Sequence, residues 1–185
     1  MTHRVCPWWL GYFLASPLRR LVYSPEDILA PHVHEDMTIL EPGPGMGFFT
    51  IPLARLAGPR GRVVAVDIQP KMIAALERRV AKAGLADRVH ARLAKAESMG
   101  IADLDGTVDF VLAFAVVHEL PSADRFFEEA GRSMKHGGRM LLAEPSGHVK
   151  PELFDKELAS AARAGLHVVE RVTLRGSLTA VLEKA

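Results

Sequence analysis

Residues 39–50 constrain the fold of this chain more than any other stretch. They read Ile-Leu-Glu-Pro-Gly-Pro-Gly-Met-Gly-Phe-Phe-Thr: an apolar strand end is followed by alternate glycines (Gly43, Gly45 and Gly47) and then by an apolar, helix-compatible run. A glycine lets the backbone come close to a ligand, because a Cβ there would collide with it. The free N–H groups at the start of the following helix point toward the same ligand. The stretch therefore predicts a strand–turn–helix unit that binds a nucleotide-like molecule.

The spacing of the glycines narrows the kind of ligand. A dinucleotide fingerprint places its third glycine one position later, where this chain has Phe48, and the pyrophosphate must approach the helix start there. The pattern from Glu41 to Gly47, acid-x-Gly-x-Gly-x-Gly, resembles the first motif of class I S-adenosylmethionine-dependent methyltransferases. In that family the turn lies along the methionine and ribose portions of a cofactor that has no phosphate. An ordinary glycine-rich turn between a strand and a helix is the alternative.

Strand and helix patterns alternate from residue 37 onward. Apolar, β-branched runs predict the strands, and proline or glycine residues punctuate the helices between them. The predicted strands are 38–41, 63–67, 88–93, 108–115 and 139–144, and the predicted helices are 48–57, 70–83, about 121 to 138, and 151–164. Repeated β–α units with buried strands predict an α/β fold with a parallel, doubly wound, Rossmann-like sheet.

The C-terminal segment departs from this alternation. Two strand patterns, 166–174 and 177–183, are separated only by Arg175 and Gly176. So short a link requires an antiparallel hairpin, because a parallel crossover needs a dozen residues or more. A mostly parallel sheet that finishes in an antiparallel hairpin resembles the seven-stranded methyltransferase sheet. Glu144, followed by Pro145 after the fifth strand, resembles the branch of that family that includes quinone-biosynthesis methyltransferases.

The chain is predicted to form one domain, residues 1–185, in which a short N-terminal helical cap (1–36) precedes a cofactor-binding core (37–185). Within the cap, Ser16-Pro17 and Ser24-Pro25 each combine a helix N-cap with a proline at the first helical position. The cap also carries aromatic residues that either pack on the domain or cover the active site and hold the substrate: Trp8, Trp9, Tyr12 and Phe13.

Composition and charge exclude several classes of protein. A single cysteine, Cys6, excludes an internal disulfide framework and a multi-cysteine metal site, and it argues against arsenite as an acceptor. With a net charge of +1 there is no overall attraction to nucleic acid, and no apolar run is long enough for stable membrane insertion. Residues 1–16 superficially resemble a signal peptide, but they contain Pro7 and Gly11. We therefore expect a cytoplasmic protein with no nucleic-acid partner and no required metal, and we leave a homodimer open.

The family resemblance implies which residues hold S-adenosyl-L-methionine. Asp67 follows Gly47 by 20 residues at the end of a strand, where a carboxylate accepts hydrogen bonds from both ribose hydroxyls; a helix N-cap is its alternative role. Lys95 departs from the family, because many relatives carry an acid there that accepts from the adenine amino group. The residues expected to contact the cofactor are Glu41, Gly43, Pro44, Gly45, Gly47, Asp67, Ile68, Met72, Ala96, Glu97, Ala113 and Phe114.

Residues 108–121 resemble the fourth motif of the family, whose strand end faces the transferred methyl group. The segment lacks the Asn-Pro-Pro-Tyr signature, which argues against methylation of adenine or amide nitrogens. His118 follows the strand and is the candidate catalytic base, since an imidazole accepts a proton from a phenol, enol or thiol near neutral pH. A helix-start histidine outside the reaction is the alternative. His118 does not begin a zinc-binding motif, because Ser122 occupies the position of the second histidine, four residues later.

These observations predict a methyltransferase that moves a methyl group from S-adenosyl-L-methionine to a small, flat or apolar acceptor and leaves S-adenosyl-L-homocysteine. Two other functions remain open. An NAD(P)-dependent oxidoreductase shares the β–α–β unit and Asp67. A non-catalytic protein that binds S-adenosylmethionine would share the cofactor site without turning over any acceptor.

Overall fold

A computed structural model describes residues 24–95 and 97–185. Several sequence-based predictions lie outside these residues: the helix at Ser16-Pro17, the cap aromatics Trp8, Trp9, Tyr12 and Phe13, and the cofactor contact at Ala96. Within the described residues there are five α-helices and seven strands. In chain order they are α1 (Pro25–Leu29), β1 (Thr38–Pro42), α2 (Thr50–Leu56), β2 (Arg62–Asp67), α3 (Pro70–Lys82), β3 (Val89–Leu93), β4 (Val108–Phe114), α4 (Ala123–Ser133), β5 (Met134–Pro145), α5 (Pro151–Arg163), β6 (Leu166–Glu170) and β7 (Ser177–Lys184).

The strands form a seven-stranded, mostly parallel sheet, which confirms the predicted fold class. The described residues divide into two compact units, one up to Ala94 and one from Lys95 onward. Strand order is β3-β2-β1 in the first unit and β4-β5-β7-β6 in the second. The predicted single domain, with its cap of residues 1–36 and core of residues 37–185, stays a prediction.

In the first unit, helix α3 shows how the sequence specifies its elements. Pro70 occupies the first turn and Gly84 follows the last, with a φ of 70° that favours glycine. The buried side chains recur at spacings of three and four residues, which places one apolar face against the parallel strands: Met72, Ala75, Leu76 and Val80. At the N-terminal end of the unit, Ser24 Oγ accepts a hydrogen bond from Asp27 N (3.3 Å), as a helix N-cap does.

The second unit carries the antiparallel end of the sheet. Strand β4 pairs in parallel with β5, and β5 and β6 each pair antiparallel with β7, so the predicted C-terminal hairpin is confirmed. Strand β6 ends at Glu170, four residues before the predicted end, because its register against β7 shifts between Val168 and Glu170. Beyond that shift an isolated bridge between Leu174 and Ser177 closes the turn.

The predicted boundary between the fourth helix and the fifth strand is wrong. Helix α4 ends at Ser133, whose hydroxyl donates to Ala130 O (2.7 Å), and the chain is already extended at Met134. The Gly137-Gly138 pair lies inside β5, where the partner residues on β4 advance from Val108 to Phe110 while β5 advances from Met134 to Arg139. The glycines therefore accommodate an irregularity within a strand rather than the end of a helix.

The first helix after the glycine turn is shorter than predicted. It begins at Thr50 instead of residue 48, because Gly47 adopts a φ of 88° and the chain completes a turn through Phe48 and Phe49. Their rings pack edge to face with centroids 5.0 Å apart, and both side chains are buried. Across the described residues, none of the helices combines the length and the hydrophobicity that crossing a membrane requires.

Candidate functional site

The glycine turn after β1 contains two glycines with different surroundings. A Cβ on Gly47, at a φ of 88°, would stand 2.8 Å from Leu76 Cδ1, so this position is closed by packing. A Cβ on Gly45, at a φ of 55°, would meet no atom within 4 Å. Gly45 therefore leaves open space beside a backbone that a ligand can approach closely. The turn is held to the sheet by Gly43 N, which donates to Val66 O (2.9 Å).

Glu41 ends β1 as a buried carboxyl group and is only 3% exposed. Burial raises the pKa of Glu41 to about 7, and the neighbouring Thr50 side chain lowers that pKa by a smaller amount. Among the described residues, Glu41 Oε2 and Thr50 Oγ1 have no hydrogen-bond partner. A buried carboxyl in this condition is stabilised either by a proton or by a cationic group beside it.

Asp67 lies at the end of β2, as predicted, and is nearly buried. Its Oδ1 accepts a hydrogen bond from Gln69 N (2.8 Å), and the N-cap position of α3 is Gln69 rather than Asp67. The two predicted adenine contacts differ in their surroundings: Ile68 is 40% exposed, whereas Met72 packs in a core cluster with Met46. Ile68 thus has apolar surface available to a ligand, whereas Met72 is a core residue.

The predicted cofactor residues of the second unit lie on a loop and a strand. Lys95 and Glu97 are exposed, and Lys95 exchanges backbone hydrogen bonds with Ser98 (3.1 and 3.2 Å). Ala113 is fully buried in β4 opposite Leu142, and Phe114 is half-buried.

Ala115 turns the chain sharply at the end of β4. It has a φ of 56°, and its N–H donates to Ala143 O (2.7 Å). This left-handed conformation costs a residue with a Cβ roughly 1–2 kcal/mol, so the surrounding structure must hold it. After the turn, the N–H groups of Val116 and Val117 both donate to Glu144 Oε1, at 3.3 and 2.8 Å. The strained turn therefore fixes the position of the Glu144 carboxylate.

The second oxygen of Glu144 contacts His118. Glu144 Oε2 makes a short contact with His118 Nδ1, and the Glu144 side chain is fully buried. In the tautomer in which His118 Nδ1–H donates to Glu144 Oε2, the neutral imidazole has its Nε2 lone pair available to accept a proton. His118 Nε2 lies 4.0 Å from Glu119 Oε1, and 16% of the His118 side chain is exposed. The arrangement is that of an oriented imidazole that is partly exposed.

Several charges act on the proton affinity of His118. Its pKa is raised above the usual value, first by the hydrogen bond to Glu144 and then by the charges of Glu144, Glu119 and Glu157, while burial acts in the opposite direction. The ring of His148 lies beside it, with centroids 5.8 Å apart. The described ranges contain no group of three or more histidine, cysteine, aspartate or glutamate side chains arranged to hold a metal ion. The expectation that no metal is required stays a prediction.

Sequence reasoning missed Glu144 as a site residue. The signal was present, because Glu144 ends an apolar strand, and the carboxyl ends of neighbouring parallel strands lie at the same edge of a sheet. Reading β4 and β5 as parallel neighbours would have placed Glu144 close to His118, 26 positions earlier in the chain.

A family model described as a methyltransferase domain matches residues 33–185. The chain belongs to the methyltransferase-domain family. Its structure is similar to that of an S-adenosylmethionine-dependent methyltransferase from Aquifex aeolicus, with a TM-score of 0.86, 25% identity, and coverage of 98% of this chain and 100% of that one. Fibrillarin from Aeropyrum pernix, whose structure holds natively bound S-adenosylmethionine, shares the fold at a TM-score of 0.65 and 22% identity over 94% of this chain and 76% of its own.

Curated relatives are similar over shorter stretches. The ubiquinone biosynthesis O-methyltransferase of Methylocella silvestris is 32% identical over 82% of this methyltransferase-family chain and 57% of its own length. The arsenite methyltransferase of Halobacterium salinarum is 34% identical over 58% of this chain and 27% of its own. This chain thus spans between about a quarter and just over half of the length of these two relatives.

S-adenosyl-L-methionine is the cofactor of this methyltransferase family, and the residues of the first unit fit it. The methionine portion carries an ammonium group, which matches the unpartnered oxygen of buried Glu41. The open space at Gly45 admits a ligand against the backbone, and the strand-end carboxylate of Asp67 suits the vicinal hydroxyls of a ribose. These three features need no phosphate.

Buried Glu41 predicts a pH dependence of stability that its glutamine variant should lose. With a pKa of about 7 in the folded state and an ordinary pKa of 4.5 in the unfolded chain, the folded protein retains a proton that the unfolded chain releases. The contribution of protonated Glu41 to the stability of the folded protein is therefore fully present below pH 4.5, and it is lost as the pH rises through about 7. In Glu41→Gln, the fall in the free energy of unfolding between about pH 5 and about pH 8 should be smaller by on the order of 2 kcal/mol.

Urea denaturation at both pH values measures this difference. Glu128→Gln, on the exposed side of α4, is the matched control and should retain the wild-type pH dependence. An unchanged pH dependence in Glu41→Gln would show that Glu41 does not hold a proton in the folded protein.

Proposed function

We propose that this protein transfers the methyl group of S-adenosyl-L-methionine to a small, flat or apolar acceptor that loses a proton in the reaction. The observation that carries the proposal is the His118–Glu144 pair, anchored by the two backbone N–H groups of Val116 and Val117. When bound, S-adenosyl-L-methionine supplies a methyl group on a sulfonium, which is already a good leaving group. The tasks left for the protein are to orient the acceptor and to remove its proton.

In this proposal His118 is the general base. Nε2 takes the proton of an acceptor O–H or S–H group as the oxygen or sulfur atom forms its bond to the methyl carbon. Glu144 keeps Nδ1–H directed away from the acceptor and stabilises the imidazolium that results. The proton thus passes from the acceptor to His118, whose side chain is partly exposed, and then to solvent. A phenol, an enol and a thiol are the acceptor classes that need such a base.

The cofactor assignments remain part of the proposal. Glu41 and the glycine turn would hold the methionine end, Asp67 the ribose, and Ile68 an adenine face, and the strand end of β4 would adjoin the methyl group. The full set of proposed cofactor contacts is Glu41, Gly43, Pro44, Gly45, Gly47, Asp67, Ile68, Met72, Ala96, Glu97, Ala113 and Phe114. A flat or apolar acceptor is suggested by the sequence of the cap, through Trp8, Trp9, Tyr12 and Phe13.

The relatives support a small acceptor and help to choose among acceptors. Both curated relatives carry names that refer to small molecules, ubiquinone biosynthesis in one and arsenite in the other. The single cysteine of this sequence argues against arsenite. An acceptor hydroxyl is consistent with the name of the O-methyltransferase relative and with a base at His118.

Binding of the cofactor is the first test. Calorimetry should show binding of S-adenosyl-L-methionine and S-adenosyl-L-homocysteine, and Asp67→Ala should weaken both by about tenfold or more, since a charge-assisted contact to two hydroxyls is lost. Asp87→Ala, at an exposed turn, is the matched control and should bind as the wild type does. An acceptor screen with phenols, enols and thiols would follow.

The same titration separates the proposal from a nicotinamide enzyme. Phe48, at the place of the third glycine of a dinucleotide site, is buried and packs on Phe49. The chain therefore lacks the glycine that such sites use at this position. NAD should therefore bind much more weakly than S-adenosyl-L-methionine. Comparable binding of NAD, or no binding of either sulfur-containing ligand, would overturn the proposed function.

A further inference from the structure

Helix α4 buries a carboxyl group that the proposed reaction does not use. Glu129 is 9% exposed and lies on the buried face of α4, a face that also contains Phe126, Phe127 and Ala130. Its Oε2 accepts a hydrogen bond from Met99 N (2.8 Å), 30 residues earlier in the chain. A buried carboxylate is costly unless hydrogen bonds compensate it, so this contact fixes the Met99 backbone against the helix.

Met99 belongs to the loop that follows β3, which we call the β3 loop (residues 94–95 and 97–100). This loop begins beside the proposed ribose contact, because the last paired residue of β2 against β3 is Asp67, and Ala94 N donates to Asp67 O (2.9 Å). In α/β sheets, ligands bind outside the carboxyl ends of neighbouring parallel strands. The β3 loop therefore leaves the sheet at the strand ends that are proposed to bind the nucleoside.

Hydrogen bonds within the β3 loop give its backbone a defined shape. Lys95 and Ser98 exchange N–H to C=O bonds (3.1 and 3.2 Å), and Ser98 Oγ accepts a hydrogen bond from Gly100 N (3.1 Å). Glu97 lies between the two paired residues, is exposed, and is the one acidic residue in the sequence of the loop. The amino group of adenine donates hydrogen bonds, which a carboxylate accepts and the ammonium group of Lys95 cannot. Glu97 is therefore the side chain of the loop that suits adenine.

We propose that Glu129 is a positioning residue that holds the β3 loop in the conformation in which Glu97 accepts a hydrogen bond from the adenine amino group of the cofactor. Glu129 acts through its contact with Met99 N, two residues after Glu97 in the chain. Removing the acceptor breaks the hydrogen bond between the loop and α4, so the position of Glu97 is less narrowly fixed and adenine is bound less selectively. This inference rests on the cofactor contacts of the proposed function, but not on His118 or on the acceptor.

Two substitutions separate the hydrogen bond of Glu129 from the volume of its side chain. Glu129→Gln keeps an oxygen that accepts from Met99 N, whereas Glu129→Met has a similar length and volume but no strong acceptor. In NMR hydrogen exchange, the Met99 amide should exchange at least about tenfold faster in Glu129→Met than in the wild type, and within about threefold of the wild type in Glu129→Gln. Equal protection of this amide in all three proteins would overturn the proposal.

Calorimetry with two ligands tests the role of Glu129 in cofactor binding. S-adenosyl-L-homocysteine carries the adenine amino group, and S-inosyl-L-homocysteine carries a carbonyl oxygen in its place. The wild type should prefer the adenosyl ligand by about tenfold or more; Glu129→Met should reduce this preference to about threefold or less, and Glu129→Gln should retain it. A purely structural role would weaken both ligands equally. No preference in the wild type, or an unchanged preference in Glu129→Met, would overturn the proposal.

Ser133→Ala is the matched control on the same helix. Ser133 is fully buried and its Oγ donates to Ala130 O (2.7 Å), so this variant also loses a buried hydrogen bond of α4. Its preference between the two ligands should equal that of the wild type. A preference reduced as far as in Glu129→Met would attribute the effect to any weakening of α4 and would overturn the role of Glu129.

Failure of this inference and failure of the proposed function give different results. If the wild type selects the adenosyl ligand through Glu129 but turns over no phenol, enol or thiol, the proposed function is rejected and the role of Glu129 is retained. If the wild type turns over an acceptor and Glu129→Met keeps the full ligand preference, the role of Glu129 is rejected and the proposed function is retained.

Discussion

Replacing His118 by glutamine is expected to lower kcat for methyl transfer by roughly 10²–10⁴-fold, the usual contribution of a general base. Glutamine keeps a polar side chain beside Glu144, but it cannot accept the proton of the acceptor at neutral pH. Since His118 is not among the proposed cofactor contacts, the affinity for S-adenosyl-L-methionine should stay within about twofold of the wild type. The loss therefore belongs to the chemical step.

Rate measurements across pH make this prediction sharper. The wild-type rate should fall on the acidic side as His118 becomes protonated, and this limb lies above the ordinary histidine range because Glu144 raises the pKa of His118. In His118→Gln the residual rate should no longer follow that limb. His148→Gln removes the exposed neighbouring ring and is the matched control, with wild-type activity expected. Wild-type kcat in His118→Gln would show that the acceptor needs no base from this residue.

The sequence predicted helices and strands accurately when residues such as proline and glycine mark both of their ends. Helix α3 was predicted over 70–83 and runs Pro70–Lys82, because Pro70 starts it and Gly84 ends it. Strand β2 was predicted from a β-branched run and agrees to within one residue. In each case the residues that mark the boundary act through their own backbone preferences, so no distant contact is needed to interpret them.

The predicted boundaries were wrong where the same local sequence pattern is compatible with two different structures. Glycine pairs end helices, but they also allow irregular strands, and only the pairing of β4 with β5 decides that Gly137 and Gly138 lie within a strand. The shift in register at Val168 likewise arises between strands. Neither choice is encoded within a few residues of the boundary, so it could not be made from the local pattern.

The candidate site residues also differ in whether a local sequence pattern identifies them or only the tertiary structure does. His118 was identified because it follows a recognisable strand, whereas Glu144 contacts it from a position 26 residues later in the chain. A glutamate within the buried face of α4 interrupts the hydrophobic pattern, and this interruption was the available sign that Glu129 is unusual. Its contact with Met99 N depends on the tertiary structure.

Substitution of Gly45 by alanine tests whether the glycine turn is an ordinary turn or part of a cofactor-binding site. In Gly45→Ala the new Cβ would meet no protein atom within 4 Å, so the expected loss of stability is only the cost of a left-handed alanine, roughly 1–2 kcal/mol. If the cofactor lies against this backbone, the same methyl group must displace it. We expect the affinity for S-adenosyl-L-methionine to fall roughly 30-fold, corresponding to about 2 kcal/mol of steric strain.

Gly84→Ala provides the matched control for this substitution. Gly84 has a φ of 70° and open space around its would-be Cβ, but it lies at the end of α3 away from the glycine turn. Urea denaturation should give similar losses of stability for the two variants, because the backbone strain is the same. Calorimetry should then find wild-type affinity in Gly84→Ala and reduced affinity in Gly45→Ala. Equal affinities would mean that the open space at Gly45 belongs to an ordinary turn, and the methionine end of the cofactor would have to be placed elsewhere.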